Sequence, residues 1–112
     1  MNTPLVVNTT NPICRAAYLG HQKIAALLLS HGADINLRSS DGRTPLHWTA
    51  FRNNVKMTEF LLDNGADMSL EDEKGWNPMD ICIIKMNYDV ALLLKRKGLV
   101  PREKEVYVDH LW

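Results

Sequence analysis

Four histidines, two cysteines and matched sets of acids and bases are the side chains with which this chain could do chemistry. An imidazole next to a hydroxyl or thiol would make a general base and nucleophile, and two histidines at i and i+4 on a helix would hold a metal. His21, His31, His47 and His110 include no pair at that metal spacing and read as isolated surface or structural residues. No nucleophile sits in a sharp glycine-flanked turn, and no glycine-rich loop precedes a helix in phosphate-binding order. Asp63, Asp67, Glu71, Asp72 and Glu73 crowd one polar stretch, where carboxylates are expected to be solvated or to cap helices. Cys14 and Cys82 lack the close spacing of a metal knuckle or redox pair and read as small buried hydrophobes in a reducing compartment. Lys95, Arg96 and Lys97, with Arg102 and Lys104, could touch phosphate or form a nuclear address, though a solvated end face is the simpler reading. No reaction, metal or cofactor is implied, and the chain is not expected to be an enzyme.

Thirteen basic and thirteen acidic residues cancel in 112, which removes the bulk positive field that carries most nucleic-acid and anionic-membrane binding. A hydrophobic content of 46% is enough for one small domain with a packed core. Met1 to Val7 shows no basic stretch followed by an apolar run, and no segment approaches the roughly 20 apolar residues of a membrane span. The expected setting is the cytoplasm or nucleus, with the chain a monomer on its own or part of a complex.

The elements that would position these side chains follow from self-similarity. Asp41-Gly-Arg-Thr-Pro-Leu-His47 is answered 33 residues later by Lys74-Gly-Trp-Asn-Pro-Met-Asp80. Stepping back by one period places Asn11-Pro12-Ile13 under Thr44-Pro45-Leu46 and Leu28-Leu29 under Leu61-Leu62. One domain over 1–112 then holds three units, 8–40, 41–73 and 74–105, with a cap or tail over 99–112. In the middle unit Thr44 can cap a short helix whose first residue is Pro45, and Leu46, Thr49 and Ala50 share a face. A second helix begins near Val55, buries Met57, Phe60 and Leu61, and ends at Gly65.

Gly42-Arg-Thr-Pro-Leu-His-Trp-Thr-Ala50 and Leu61-Leu-Asp-Asn-Gly-Ala-Asp67 resemble the ankyrin-repeat family over nearly the whole chain. The resemblance implies an all-α solenoid of helix-turn-helix pairs with projecting hairpin loops, and a protein that binds proteins. It also implies that His47 hydrogen-bonds backbone and the capping threonine instead of acting as a base. Both terminal units depart from the pattern and resemble caps: Thr9 and Cys14 replace the glycine and histidine of the first, and Asp80 replaces the histidine of the third. Because Met1 to Val7 resembles the tail of a preceding loop, a larger parent with further repeats is a live expectation. Asn36 lies in a loop sequence similar to those modified by the factor-inhibiting asparaginyl hydroxylase, which makes it a candidate for hydroxylation; the alternative is that Asn36 only stabilises its turn.

Carried over position by position, the resemblance assigns partner contact to loop tips and to the exposed ends of the first helices. Those positions are Tyr18 and Leu19, then Asp41, Arg43, Phe51 and Arg52, then Lys74, Trp76, Ile84 and Lys85, with Asn8, Thr10, Ser40 and Glu73 beside them and Trp48 on the same helix as Phe51. Tyr18, Phe51 and Ile84 recur one repeat apart and form an apolar ladder near Trp76, Arg43 and Arg52, the chemistry of binding hot spots. The competing reading is that these large side chains brace one unit on the next. The tail from Pro101 to Trp112 is expected to fold back as a cap through Val106, Tyr107, Leu111 and Trp112, or to act as a docking peptide. The expected function is a non-catalytic adaptor, scaffold or inhibitor that holds a protein partner; the rival is a regulatory domain excised from a multidomain enzyme or channel.

Overall fold

The computed structural model describes residues 11–99, and within them the chain is six helices with no strand. They are α1 (Pro12–Leu19), α2 (Gln22–Ser30), α3 (Pro45–Phe51), α4 (Val55–Asp63), α5 (Pro78–Lys85) and α6 (Tyr88–Arg96). The proposed cap residues Val106, Tyr107, Leu111 and Trp112, and the loop positions Asn8, Thr9 and Thr10, lie outside the described residues.

Each first helix starts for the same local reason. Asn11, Thr44 and Asn77 stand in extended backbone and accept a hydrogen bond from the N–H three residues on, and a proline follows where its missing N–H costs nothing. Each ends at a left-handed residue: Gly20, Asn53 and Met86 have φ of 75°, 54° and 59°. Only glycine takes this conformation freely, so Asn53 and Met86 hold theirs at some cost.

α1, α3 and α5 stack side by side as an inner row, and each carries its following helix antiparallel behind it. Leu46 is buried with Ile13, Ala17, Met57 and Leu61 between the first two pairs; Ala50 is buried with Met79, Cys82, Val90 and Leu94 between the last two. The small residues Ala16, Ala17, Thr49 and Ala50 let the rows approach, as their pattern predicts. Thr58 closes the pair α3–α4 by donating to the Thr49 hydroxyl at 2.9 Å. Phe60, expected in the core, is only half-buried, because its side of α4 faces outward between neighbouring second helices.

The ends of the stack differ. Ile24 of α2 is 49% exposed, whereas Met57, one repeat later, is 1% exposed beneath α2. At the other end Lys95, Arg96 and Lys97 are all exposed, the polar outer face expected there.

Candidate functional site

The loop before α3 is built on its own backbone: the N–H of Ser39 donates to the carbonyl of Arg43, and that of Gly42 to the carbonyl of Ser39. The next loop repeats both bonds, Asp72 to Trp76 and Gly75 to Asp72. Gly42 is required twice over, because its φ is +81° and an added Cβ would sit 2.9 Å from the backbone nitrogen of Glu73. Asp72 corrects the expectation of a solvated carboxylate. It is buried, accepts the N–H groups of Lys74 and Trp76 at 2.9 Å each, and faces Arg43 Nε at 3.5 Å, so it staples the loop.

His47 ties the middle unit to the last. Its Nδ1 accepts the N–H of Thr44 at 3.1 Å, which leaves the ring proton on Nε2, and Nε2 donates to the carbonyl of Trp76 at 2.7 Å. Burial holds its pKa below the ordinary imidazole value, so the ring is neutral, as both bonds require. Cys14 occupies the same position one repeat earlier and reaches the carbonyl of Arg43 only at 3.6 Å, with a second contact of 3.3 Å to Leu37. Asp80 occupies it one repeat later and turns back to accept the N–H of Asn77. Burial pushes both cysteine thiols up to about 12, which suits packing and opposes nucleophilic use.

The ladder comes together on the inner row. The rings of Tyr18 and Phe51 stack at 6.2 Å between centroids, and Trp48 meets both edge-on at 5.6 and 5.9 Å. Cations lie over these faces: Arg52 over Tyr18 at 4.8 Å, Lys85 over Phe51 at 4.7 Å and Arg43 over Trp48 at 5.2 Å. Beside them is a cleft of about 200 Å³ lined by Arg43, Phe51, Lys74, Trp76, Ile81, Ile84 and Lys85. Asp41, Arg43, Asp72, Glu73 and Lys74 line a second, polar hollow at the loop tips.

The partner-contact positions thus divide. Ile84 is 50% exposed, and Leu19, Arg52, Lys74 and Lys85 are also open; Tyr18, Asp41, Arg43, Phe51 and Trp76 are half-buried. Trp48 is corrected: at 2% exposure, covered by Tyr18, Phe51 and Arg43, it supports the surface from below and offers a partner nothing. Its indole N–H is buried without a hydrogen-bond partner. Asn36 is held: its side-chain oxygen accepts the N–H of Asp67 in the next unit at 2.9 Å. Ile81 was missed as a lining residue, although it stands one period after Trp48, and the same step back reaches exposed Arg15 on α1.

Among the described residues no group of three His, Cys, Asp or Glu could hold a metal, and no helix is long and apolar enough to cross a membrane. Residues 13–104 match the family described as ankyrin repeats (3 copies). Over 36 residues the chain is 50% identical to the mouse (Mus musculus) protein named fibronectin type 3 and ankyrin repeat domains 1 protein, a stretch that covers 31% of this chain and 10% of that one.

Proposed function

Because this chain belongs to the ankyrin-repeat family, whose repeats generally mediate protein–protein interaction, we propose that it is a non-catalytic adaptor, scaffold or inhibitor that holds a protein partner along its inner row and loop tips. The observation that carries this reading is the cleft between Phe51, Trp76 and Ile84, an open apolar surface rimmed by Arg43, Lys74 and Lys85. Aromatic and arginine side chains around a partly desolvated hollow are the usual makings of a binding hot spot. The free, buried thiols of Cys14 and Cys82 support a setting in the cytoplasm or nucleus. Affinity capture from a cell extract, with wild type beside an Ile84→Ser variant of equal melting temperature, tests the proposal. Proteins retained by the first and lost by the second are the expected result; identical sets on both would remove the inner row from the function.

A second reading, a regulatory domain that contacts other parts of a longer chain, is favoured by one observation. Ile24 of α2 is exposed where its counterpart Met57 is buried in the cluster shared with the first repeat, and Leu27 is exposed where its counterpart Phe60 is half-buried against that cluster. A longer reading frame that adds repeats before α1 would favour it, and full solubility of this chain as a monomer would count against it.

A further inference from the structure

Despite the zero net charge, the exposed charges of the inner row are all of one sign. The described inner helices carry Arg15, Lys85 and, at the end of α3, Arg52, all exposed, and their one carboxylate, Asp80, is buried in the capping box of α5. The second helices carry both signs on exposed positions, Lys23, Lys56, Lys95 and Arg96 beside Glu59, Asp63 and Asp89. Within the cleft the same bias is sharper: three of its seven lining residues are cations and none is an anion. Arg43 is met by Asp41 and Asp72 at 3.6 and 3.5 Å, whereas Arg52, Lys74 and Lys85 form no ion pair with any described residue. Arg52 and Lys85 are instead held over aromatic rings, which fixes their positions while leaving their charge uncompensated.

We propose that the cleft takes an acidic peptide segment, in which one aliphatic or aromatic side chain enters between Trp76 and Ile84 while flanking Asp or Glu carboxylates meet Lys74, Lys85 and Arg52. This rests on the inner row being the binding surface. Charge complementarity selects the carboxylates, because unpaired cations beside an apolar hollow gain most from a partner that brings both features at once. A nucleic acid fits less well. The faces of Tyr18 and Phe51 that would stack on bases are covered by Arg52 and Lys85.

The test is selection of displayed random 12-residue peptides on the intact protein, followed by fluorescence polarisation with the enriched peptide. The enriched sequences should carry Asp or Glu around one large apolar residue. Lys85→Glu and Arg52→Glu should each weaken binding about tenfold while lowering the melting temperature by no more than the few degrees that loss of a cation–π contact costs, and a peptide with its acids changed to lysine should prefer the doubly reversed variant. Binding should also fall as salt rises. Enriched peptides that lack acids but lose affinity to Ile84→Ser would overturn the acidic assignment and leave the inner-row reading standing. Acidic peptides indifferent to every one of these substitutions would overturn that reading as well, and so would a selection that yields no binder. A 20-nucleotide single-stranded RNA bound more tightly than the best peptide would give the surface to nucleic acid and refute the proposal.

Discussion

His47→Ala is the substitution whose effect can be worked furthest. The imidazole satisfies the Thr44 N–H at 3.1 Å in buried surroundings and the Trp76 carbonyl at 2.7 Å in partly buried ones. Removing it orphans a donor and an acceptor at about 1–3 kcal/mol each, of which water entering the vacated space recovers part. A loss of about 2–4 kcal/mol is expected, a large fraction of the roughly 5–15 kcal/mol available to a small domain. Acid should add a second signature. Unfolded His47 takes a proton near its ordinary value of 6.5, while the folded ring, with its pKa lowered by burial, resists. Between those two values the unfolded state holds more protons, so its contribution to stability is complete above about pH 6.5 and falls with acid by up to about 1.4 kcal/mol per pH unit. Asp67, whose hydrogen bonds from Ser69 lower its pKa from 3.8, acts only in more acid solution. Urea unfolding at pH values from about 7.5 to 5.5 should therefore show a lower midpoint for the variant and a flatter dependence on pH. Equal midpoints at neutral pH, or parallel slopes across the window, would refute the account of His47 as a neutral ring bridging two units.

Three further outcomes follow from packing and backbone. Phe51→Ala should cost about 2–3 kcal/mol of stability, because Phe51 packs on Tyr18 and Trp48, whereas Ile84→Ala, on a half-exposed side chain, should cost under about 1 kcal/mol and lower partner affinity instead; urea midpoints and dissociation constants on both variants check the pair. Met86→Gly should raise the melting temperature by a few degrees, about 0.5–1 kcal/mol, since Met86 is left-handed and 68% exposed, with little packing to lose; an unchanged or lower value would mean that its backbone is not strained. Ending the chain after Glu73 should abolish cooperative thermal unfolding, because Ala50 and Leu62 lose the neighbours that cover them and His47 loses the Trp76 carbonyl; a sharp transition in 1–73 would place the core elsewhere.

The sequence made the scaffold readable where the cause is local. Asn11, Thr44 and Asn77, each followed by proline, announce the first helices, and Gly65 marks the end of α4, because caps and left-handed positions depend on a few adjacent residues. Trp48 was not readable as buried, since its cover comes from Tyr18 in the preceding unit and Arg43 in the preceding loop. Asp72 looked like one more loop acid; its role depends on a turn that brings two N–H groups to one oxygen. Ile81 lies one 33-residue period after Trp48, but it is 4% exposed, and only the packing of α5 on α3 brings it to the floor of the cleft.

The hydrogen bonds that cross between units are unevenly shared. Towards α5 and α6, the middle unit gives His47 to Trp76, receives Asn87 on the carbonyls of Ala50 and Phe51 at 2.8 and 2.9 Å, and meets the N–H of Val90 with Asn53 at 3.2 Å. Towards α1 the inner row offers one long sulfur contact from Cys14 to Arg43, and Ala25 is the one fully buried residue of α2. Further bonds to the first unit come from its loop, through Asn36 to the Asp67 N–H and Arg38 to the Glu71 carbonyl. A stack of repeats folds by nearest-neighbour coupling, so the better-coupled pair is the cheapest nucleus. Residues 41–96 should then assemble first, with α1 and α2 docking on a formed template. In the native state the same imbalance makes the first pair the end that frays, and amide hydrogens of α2 should exchange well before those of α3 and α5.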